Sequence, residues 1–518
     1  MHDPDRLGLL WPLDGPGCLL VTSQDPSFAR KSGFSTQNSM LIEGFNNEES
    51  GRMLERLTRR SNGGRVVAER IGGLPLAIAQ IAALIHQNNW TFEEFVQALD
   101  TPRNKDPEDE TASLSYVFDL VLSRLQYAKS LLDVLSLLDP DGIPEAMLKQ
   151  YSIVAIEGYP TSDTAYAKAR RELIRSSLIQ RDNSLRNVMI HRLVTAYTQS
   201  KMSDARYREV FSAATRLLAQ IWPFETLGWR GDILRWRKCE QLLPHILNLK
   251  RNEPRVIDSA KDDLSYCMLI NNAGLYYCEI GQFAESQIFT KHAQSIAEAI
   301  RTNLKESSVG TEISVSLCDA VLAETFHNLG RISAETNQPD ATLANFSRYN
   351  AMLLDQPNGG MQMNANRLAV SWFELGNAFM INQLWAEGER CFDRGMSIAR
   401  RIENFAPWHF SQYYIVLGLV YCLTDRIDQA TKVLEEGLQH RESVRRQDTD
   451  RSFVSGLFWY ALGNVTASQG TFGQSLDYHE KALRQFSRTI GADHHHTGDV
   501  HVRIAEHYFR LKDFTVAK

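Results

Sequence analysis

The chain has 518 residues, of which 43% are hydrophobic and 23% charged, and its net charge is −6 at a sequence pI of about 6.2. These proportions are typical of a soluble globular protein with two or three domains, and the acidic balance gives no general attraction to nucleic acid or anionic membranes. The 7 cysteines are scattered without a CxxC spacing, and no apolar run approaches the ~20 residues of a membrane span. We therefore expect a cytoplasmic protein without disulfides.

The first hundred residues combine one strand pattern with helical patterns. Residues 17–22 predict a short buried strand, and the polar run that begins at Asn46 predicts the start of a helix. A second helical pattern over residues 66–85 is interrupted by Gly72-Gly73-Leu74-Pro75. Because proline suits the first turn of a helix, Pro75 predicts a helix N-terminus beside a tight glycine turn.

Gly73-Leu74-Pro75-Leu76-Ala77 resembles the GLPLA motif of NB-ARC modules, the nucleotide switches of STAND-type, NLR-like signalling proteins. The resemblance implies that residues 1–100 are the C-terminal part of such a module and that Pro75 lies against an adenine base. Gln24 stands where the family usually has an arginine. A GGLPLA turn in an unrelated helical domain is the alternative interpretation.

The chain contains no GxxxxGK[ST] phosphate-binding loop. We therefore expect no cofactor in this chain alone, and ADP or ATP binding only if a missing N-terminal half is present. A truncated module is the preferred explanation, and a switch that has lost its ATPase half is the other.

Residues 111–200 predict several helices followed by a hairpin whose strands are 177–181 and 187–191. Helices followed by a hairpin are typical of a winged-helix domain. His191, within Ile190-His191-Arg192, resembles the histidine of fungal NB-ARC proteins that contacts the ADP β-phosphate; an ordinary packing histidine is the alternative. The basic helix that carries Lys168, Arg170, Arg171 and Arg175 leaves a DNA-binding regulator as a less favoured function.

Residues 201–254 predict a helical connector, in which Leu242-Leu243-Pro244-His245 indicates a helix start. In the fungal NB-ARC/TPR proteins that the chain resembles, a similar connector leads into the repeats.

Residues 255–518 repeat one motif, in which a large apolar residue is followed by a small one on the same helical face. The small residues of successive copies are 42 to 56 residues apart. The copies are Ile270-x-x-Ala273-Gly274-x-x-Tyr277, Phe326-x-x-Leu329-Gly330-x-x-Ser333, Trp372-x-x-Leu375-Gly376-x-x-Phe379, Tyr414-x-x-Leu417-Gly418-x-x-Tyr421, Trp459-x-x-Leu462-Gly463-x-x-Thr466 and the degenerate Ile504-Ala505-x-x-Tyr508. Glycine at the small position predicts that a second helix comes close.

The recurring motif resembles the tetratricopeptide (TPR) signature. Because the usual period is about 34 residues, the longer period here resembles kinesin-light-chain-like repeats. The run Asp493-His494-His495-His496, with His501, raises the possibility of a metal site. Such arrays commonly carry a Gly-x-Asp-His segment between repeats, however, and we expect a loop without a metal.

The predicted fold is mostly α, with a remnant of an NB-ARC switch, a winged-helix domain and a TPR α-solenoid superhelix of about six repeats. We expect a signalling protein, not an enzyme unless an upstream ATPase half exists, whose repeat groove binds a protein or peptide. Fungal immunity or self-recognition is the role that the family resemblance implies. Homo-oligomerisation on activation is possible, whereas membrane contact is not expected and nucleic-acid binding is unlikely. An intact ATPase switch with its upstream half restored and a TPR cargo or scaffold adaptor remain alternatives.

The partner groove is predicted from two positions of each first helix, three residues before the small residue and one residue after it. These positions are four residues apart and therefore lie on one face. Amides and a guanidinium there suit a peptide backbone or carboxylate, and aromatic rings suit apolar side chains. The candidate residues are Asn271, His327, Arg331, Phe373, Asn377, Tyr460 and Asn464.

Overall fold

The computed structural model describes residues 44–71, 73, 75–100, 118–182, 184–224, 233–256, 264–306, 312–355, 365–402, 407–443 and 453–512. The strand predicted at 17–22 and Gln24 lie outside these ranges. The described chain is mostly α-helical, with three short strands. It divides into two compact units, one of residues 1–124 with 175–177 and one of residues 125–174 with 178–518.

The first unit contains four described helices in its first hundred residues: α1 Asn47–Thr58, α2 Gly64–Ile71, α3 Pro75–Asn88 and α4 Phe92–Asp100. The predicted polar start at Asn46 is confirmed. Oδ1 of Asn46 accepts hydrogen bonds from the backbone N–H groups of Glu48 and Glu49 at 3.0 and 2.9 Å. In the reverse direction, the backbone N–H of Asn46 donates to Oε2 of Glu49 at 3.0 Å. Pro75 is the first residue of α3, as predicted.

The second unit begins with a small α/β region: α5 Lys129–Ser136, β1 Ile143–Pro144, α6 Glu145–Leu148, α7 Asp163–Arg175, β2 Ile179–Asp182 and β3 Asn187–Ile190. The predicted hairpin is confirmed, because β2 and β3 pair antiparallel with Ile179 opposite Ile190. Strand β1 adds to the other edge of β3. The break between the two units, after Arg124, falls inside the segment 111–200 that we predicted as one domain.

Three helices connect this region to the repeats: α8 Arg192–Lys201, α9 Asp204–Ile221 and α10 Leu234–Asn252. The helix start predicted around Pro244 is wrong, because this proline lies inside α10. Proline in a helix interior removes one N–H donor and crowds the preceding turn. The helix continues through it because Leu242, Ile246 and Leu249 are fully buried on one face.

Residues 264–510 form a stack of helix pairs. The pairs are α11 Leu264–Glu279 with α12 Phe283–Glu306, α13 Glu312–Glu335 with α14 Pro339–Leu354, α15 Ala365–Ile381 with α16 Trp385–Ala399, α17 Pro407–Leu423 with α18 Ile427–Ser443, and α19 Val454–Ser468 with α20 Phe472–Thr489, followed by α21 His495–Arg510. Every copy of the sequence motif lies on the first helix of a pair, or on α21. The C-terminal half is therefore a TPR-type α-solenoid.

The glycines of the motif stand where the two helices of a pair come closest. A Cβ added at Gly418 would lie 2.4 Å from Cγ of Leu434, and one added at Gly463 would lie 2.4 Å from Cδ2 of His479. Both neighbours belong to the second helix of the same pair. The close approach predicted from the glycines is confirmed.

Apolar side chains of neighbouring pairs share their cores along the stack. Phe373 and Phe392 of the third pair pack with Tyr413 of the fourth, with ring centroids 5.6 to 6.5 Å apart. Leu434 of the fourth pair and Phe458 of the fifth are both fully buried in the next cluster. Each pair thus buries its apolar face against the adjacent pair.

The loop before α21 also contacts the first pair of the stack. Nε2 of His494 lies 3.0 Å from the backbone oxygen of Glu279, a residue 215 positions earlier. The His494 ring stacks on Trp236 of the connector, with centroids 6.3 Å apart. Nε1 of Trp236 donates to Oε2 of Glu279, and Arg235 forms an ion pair with the same carboxylate at 2.7 Å. The connector, the first pair and this loop therefore meet around Glu279.

Candidate functional site

The first helices of successive pairs lie side by side, which makes them the natural surface for an extended partner. Helix α11 contacts α13, α15 contacts α17, and α17 contacts α19. We define two rows on these helices by position relative to the small residue of the motif. The minus-three row is Asn271, His327, Phe373, Ile415, Tyr460 and Val502; the plus-one row is Leu275, Arg331, Asn377, Leu419, Asn464 and Glu506.

The minus-three row is buried in the first three pairs. Asn271, His327 and Phe373 are 6%, 4% and 2% exposed. We predicted that these residues contact a partner, and the structure instead places them in the interior. His327 packs on Tyr349 and Phe373 packs on Phe392, each on the second helix of the same pair, so this row faces the partner helix of its own pair rather than the groove.

Two of these buried side chains connect successive first helices. Nδ2 of Asn328, on α13, donates to Oδ1 of Asn271, on α11, at 3.0 Å. Nε2 of His327, on α13, lies 3.5 Å from Oε1 of Glu374, on α15. Because burial of a polar group without a partner is costly, these contacts fix the spacing of neighbouring repeats.

Glu374 is a buried carboxylate within the repeat array that the sequence analysis did not single out. It is 2% exposed, and its second oxygen accepts a hydrogen bond from Nε2 of Gln412 on α17 at 3.0 Å. One carboxylate thereby links three first helices in succession. The available signal was a single charged residue in the otherwise uncharged stretch 368–376 of α15. Its role is to hold the repeats in register rather than to face a ligand.

The plus-one row is accessible from the second pair onward. Leu275 is buried, whereas Arg331, Asn377, Leu419 and Asn464 are partly exposed and Glu506 is exposed. Tyr460, from the minus-three row of the fifth pair, is also partly exposed, with its ring centroid 5.8 Å from that of His479. The accessible residues of the predicted set are therefore Arg331, Asn377, Tyr460 and Asn464.

The fifth pair carries a buried polar group beneath this row. Nε2 of His479 lies 3.2 Å from Oδ1 of Asn464, and its Nδ1 lies 3.2 Å from Nε2 of His507. Burial, and then the nearby His507 and Arg503, lower the pKa of His479 to about 4. His479 is therefore neutral at pH 7, and it positions Asn464 from below.

The two residues assigned to nucleotide binding by resemblance lie in different units. Pro75 is exposed at the N-terminus of α3, in the first unit. His191, in the second unit, caps α8: its Nδ1 accepts a hydrogen bond from the backbone N–H of Leu193 at 3.2 Å. Burial and the adjacent Arg192 lower the pKa of His191. Nucleotide contact by either residue stays a prediction.

The basic residues that suggested DNA binding are partly engaged with protein groups. Nη1 of Arg170 forms an ion pair with the buried Glu145 at 2.5 Å. Nζ of Lys168 lies 3.4 Å from the ring centroid of Tyr127. Of the four basic residues, Arg171 and Arg175 take part in neither the ion pair nor the ring contact. The helix therefore presents less positive charge for nucleic acid than its sequence indicates.

Comparisons with known proteins add a partial family match and distant structural similarities. A family described as a domain of unknown function (DUF7779) matches residues 121–207, less than half of the chain. No curated protein matches the chain. Among the described residues, no helix is both long and apolar enough to cross a membrane.

The chain is also similar to several solved structures, three of which are described below. A STAND protein with a tetratricopeptide repeat sensor from Pyrococcus horikoshii is 11% identical, with 92% of this chain and 71% of that chain covered and a TM-score of 0.30. A Rap protein complexed with competence and sporulation factor is 12% identical, with 91% and 95% covered and a TM-score of 0.37. The quorum sensor NprR from B. thuringiensis is 12% identical, with 81% and 99% covered and a TM-score of 0.30. These identities and TM-scores are too low to transfer a function.

Proposed function

We propose that the chain is a protein-recognition component of a signalling system and that the plus-one row of its repeats binds an extended segment of a partner protein. The observation that carries the proposal is the accessible row Arg331, Asn377, Leu419, Asn464 and Glu506, one residue on each first helix from the second pair onward. Repeat arrays bind partners through such extended surfaces.

The chemistry of the row suits a peptide main chain. Each asparagine offers two N–H donors and a carbonyl acceptor, which match the groups of an extended backbone, and Arg331 suits a carboxylate. Packed helices are about 8–10 Å apart. That distance equals about three residues of an extended chain, at about 3.3 Å each. The row would therefore contact every third residue of the peptide, with Tyr460 providing an apolar contact.

The finer proposals concern the N-terminal unit. We infer that it is the C-terminal part of an NB-ARC-type switch, which binds ADP or ATP only together with an upstream phosphate-binding half. The support is the GLPLA-like motif, with Pro75 exposed at a helix start. In this proposal the winged-helix-like region lies between switch and repeats, the protein works in the cytoplasm, and its activation involves self-association.

The nucleotide proposal predicts that this chain alone does not bind ATP–Mg²⁺ at micromolar concentration, because no loop is present to surround the phosphates. Isothermal titration calorimetry of the purified chain tests this. Micromolar binding would contradict the proposed division between the two halves.

The peptide proposal predicts that Asn377→Ala combined with Asn464→Ala weakens peptide binding at least about tenfold, since two donor–acceptor groups are lost. Peptides are first selected on the full chain from a displayed random library. Their affinities are then measured by fluorescence polarisation. The matched control is Glu436→Ala, an exposed position on a second helix.

Circular dichroism must show that the double variant keeps its helix content, because Asn464 also contacts His479. Unchanged affinity in a folded double variant would place the interface elsewhere. Equal loss in the Glu436→Ala control would contradict the assignment to first helices.

A further inference from the structure

Three metal-ligating side chains from distant parts of the repeat array meet beside the loop that precedes α21. They are Glu335, at the end of α13, and His495 and His496, at the start of α21. One ligand atom from each lies within 4.8 Å of the others. Nε2 of His495 is 3.4 Å from Oε2 of Glu335. Glu335 lies 160 positions before His495, so the histidine run alone does not indicate that this carboxylate joins it.

The three adjacent histidines differ in how their ring nitrogens are used. His494 is committed to the fold, since its Nε2 contacts the backbone oxygen of Glu279 and its Nδ1 accepts from the backbone N–H of His496. Both ring nitrogens of His495 are shielded from solvent and lack a hydrogen bond of standard geometry, although Nε2 lies 3.4 Å from the Glu335 carboxylate. A shielded ring nitrogen without a good hydrogen bond is unfavourable unless another group satisfies it.

The surroundings of His495 and His496 hold both rings in place. A Cβ added at Gly281 would lie 3.3 Å from Nδ1 of His495, so this glycine gives the ring its space. Phe283 contacts the same ring edge-on at 5.4 Å, and Phe486 stacks on His496 at 5.8 Å.

We propose that Glu335, His495 and His496 bind a divalent transition-metal ion of the zinc class, which ties the start of α21 to the end of α13. Two imidazoles and a carboxylate are ligands that Zn²⁺ takes readily, at about 2.0–2.2 Å. Tetrahedral ligands at that distance are about 3.3 Å apart, close to the separation of the His495 and Glu335 atoms. The fourth position is open to water or to a group of a partner. The proposal rests on the contact between α13 and α21 and is independent of the peptide proposal.

The experiment uses the full chain, without a polyhistidine tag, after removal of metals by a chelator. Zn²⁺ titration by calorimetry is expected to show one equivalent bound per chain. Co²⁺ is expected to give the visible absorption of a tetrahedral nitrogen–oxygen site. Zn²⁺ should also raise the melting temperature, because binding to the folded state alone stabilises it.

Glu335→Gln is the informative variant, because it removes the charge of the carboxylate, keeps its shape and leaves α21 unchanged. We expect it to weaken Zn²⁺ binding by about tenfold or more and to abolish the Co²⁺ spectrum, and His495→Asn to do the same. The matched control is His501→Asn, an exposed histidine of the same helix.

Two results would overturn the proposal. One is that a chain with a native circular dichroism spectrum binds no stoichiometric Zn²⁺ at about 1 mM metal. The other is equal binding by the unaltered chain and by the folded Glu335→Gln variant, which would indicate surface histidines binding adventitiously.

Discussion

Residues 129–207 and the repeat array hold their interiors together in different ways. In the first region, buried carboxylates pair with arginines from distant positions: Glu145 contacts Arg170 and Arg181, and Asp133 contacts Arg206. In the array, the interior is mostly apolar, and glycines let the two helices of each pair approach closely.

The two regions therefore depend on different kinds of residue for their stability. The buried carboxylates of residues 129–207 each depend on one or two particular arginines, and Asp133 has Arg206 as its ion-pair partner. The array spreads its stabilisation over many similar contacts between neighbours, so that local changes stay local. The next three predictions test this contrast, beginning with the largest expected effect.

Arg206→Ala should destabilise the region by about 3–5 kcal/mol, because it leaves a buried carboxylate without its partner. Asp133 is only 6% exposed, and Nε and Nη2 of Arg206 both donate to its Oδ2, at 3.0 and 2.9 Å. Burial already raises the pKa of Asp133 against the opposing effect of Arg206, so without the arginine the pKa of this carboxyl should rise further. Urea unfolding measures the loss, and Arg216→Ala, exposed on the same helix, is the control.

The contrast predicts that the effect of Arg206→Ala reaches the whole region, because Arg206 also donates to Ser130 at 2.8 Å. Hydrogen exchange should therefore increase in α5 and α9 together. An effect as small as that of Arg216→Ala would show that the buried pair contributes little.

Gly418→Leu should destabilise the array by ~1–3 kcal/mol, because an added side chain collides with Leu434. The same substitution at Glu436, exposed on α18, should be nearly silent. Hydrogen exchange is expected to increase chiefly in α17, α18 and the adjoining pairs. Equal destabilisation at both positions would contradict the close approach at Gly418.

Acid should weaken the array through His479. Because burial lowers its pKa to about 4, the folded protein resists a proton that the unfolded chain accepts near pH 6.5. The free energy of unfolding should therefore fall as the pH drops from about 6.5 to about 4, by at most about 1.4 kcal/mol per pH unit from this group. His479→Gln should flatten that slope, whereas His501→Gln should not. The lowered pKa of Glu145, where two arginines outweigh burial, predicts a further loss of stability in residues 129–207 below about pH 4.5.

The sequence predicts most of the array because its contacts recur. The helix pairs and the glycine positions follow from one motif repeated in register, and the hairpin follows from alternation around a turn. The burial of Asn271, His327 and Phe373 follows from the motif, because a residue three positions before the glycine shares its helical face. That face packs on the second helix of the pair, whereas our prediction assigns it to the groove. Pro244 was misplaced because tertiary packing of its neighbours outweighs the local preference of proline.

The histidine run at His495 is visible in the sequence, but the approach of Glu335 to it is not. The members of this cluster come together only because the stack returns α21 to the vicinity of α13, and that return depends on the summed geometry of several pairs. No pattern within a few dozen residues contains this information.

The contact between His494 and Glu279 has a consequence for how the gene can change. Solenoid genes gain and lose units by tandem duplication, since each unit usually contacts only its neighbours. Here the loop after the fifth pair also contacts the first pair. One pair more or fewer in between would displace His494 by about 10 Å, the spacing of packed helices. Selection on this array should therefore tolerate substitutions within a unit while keeping the number of units constant.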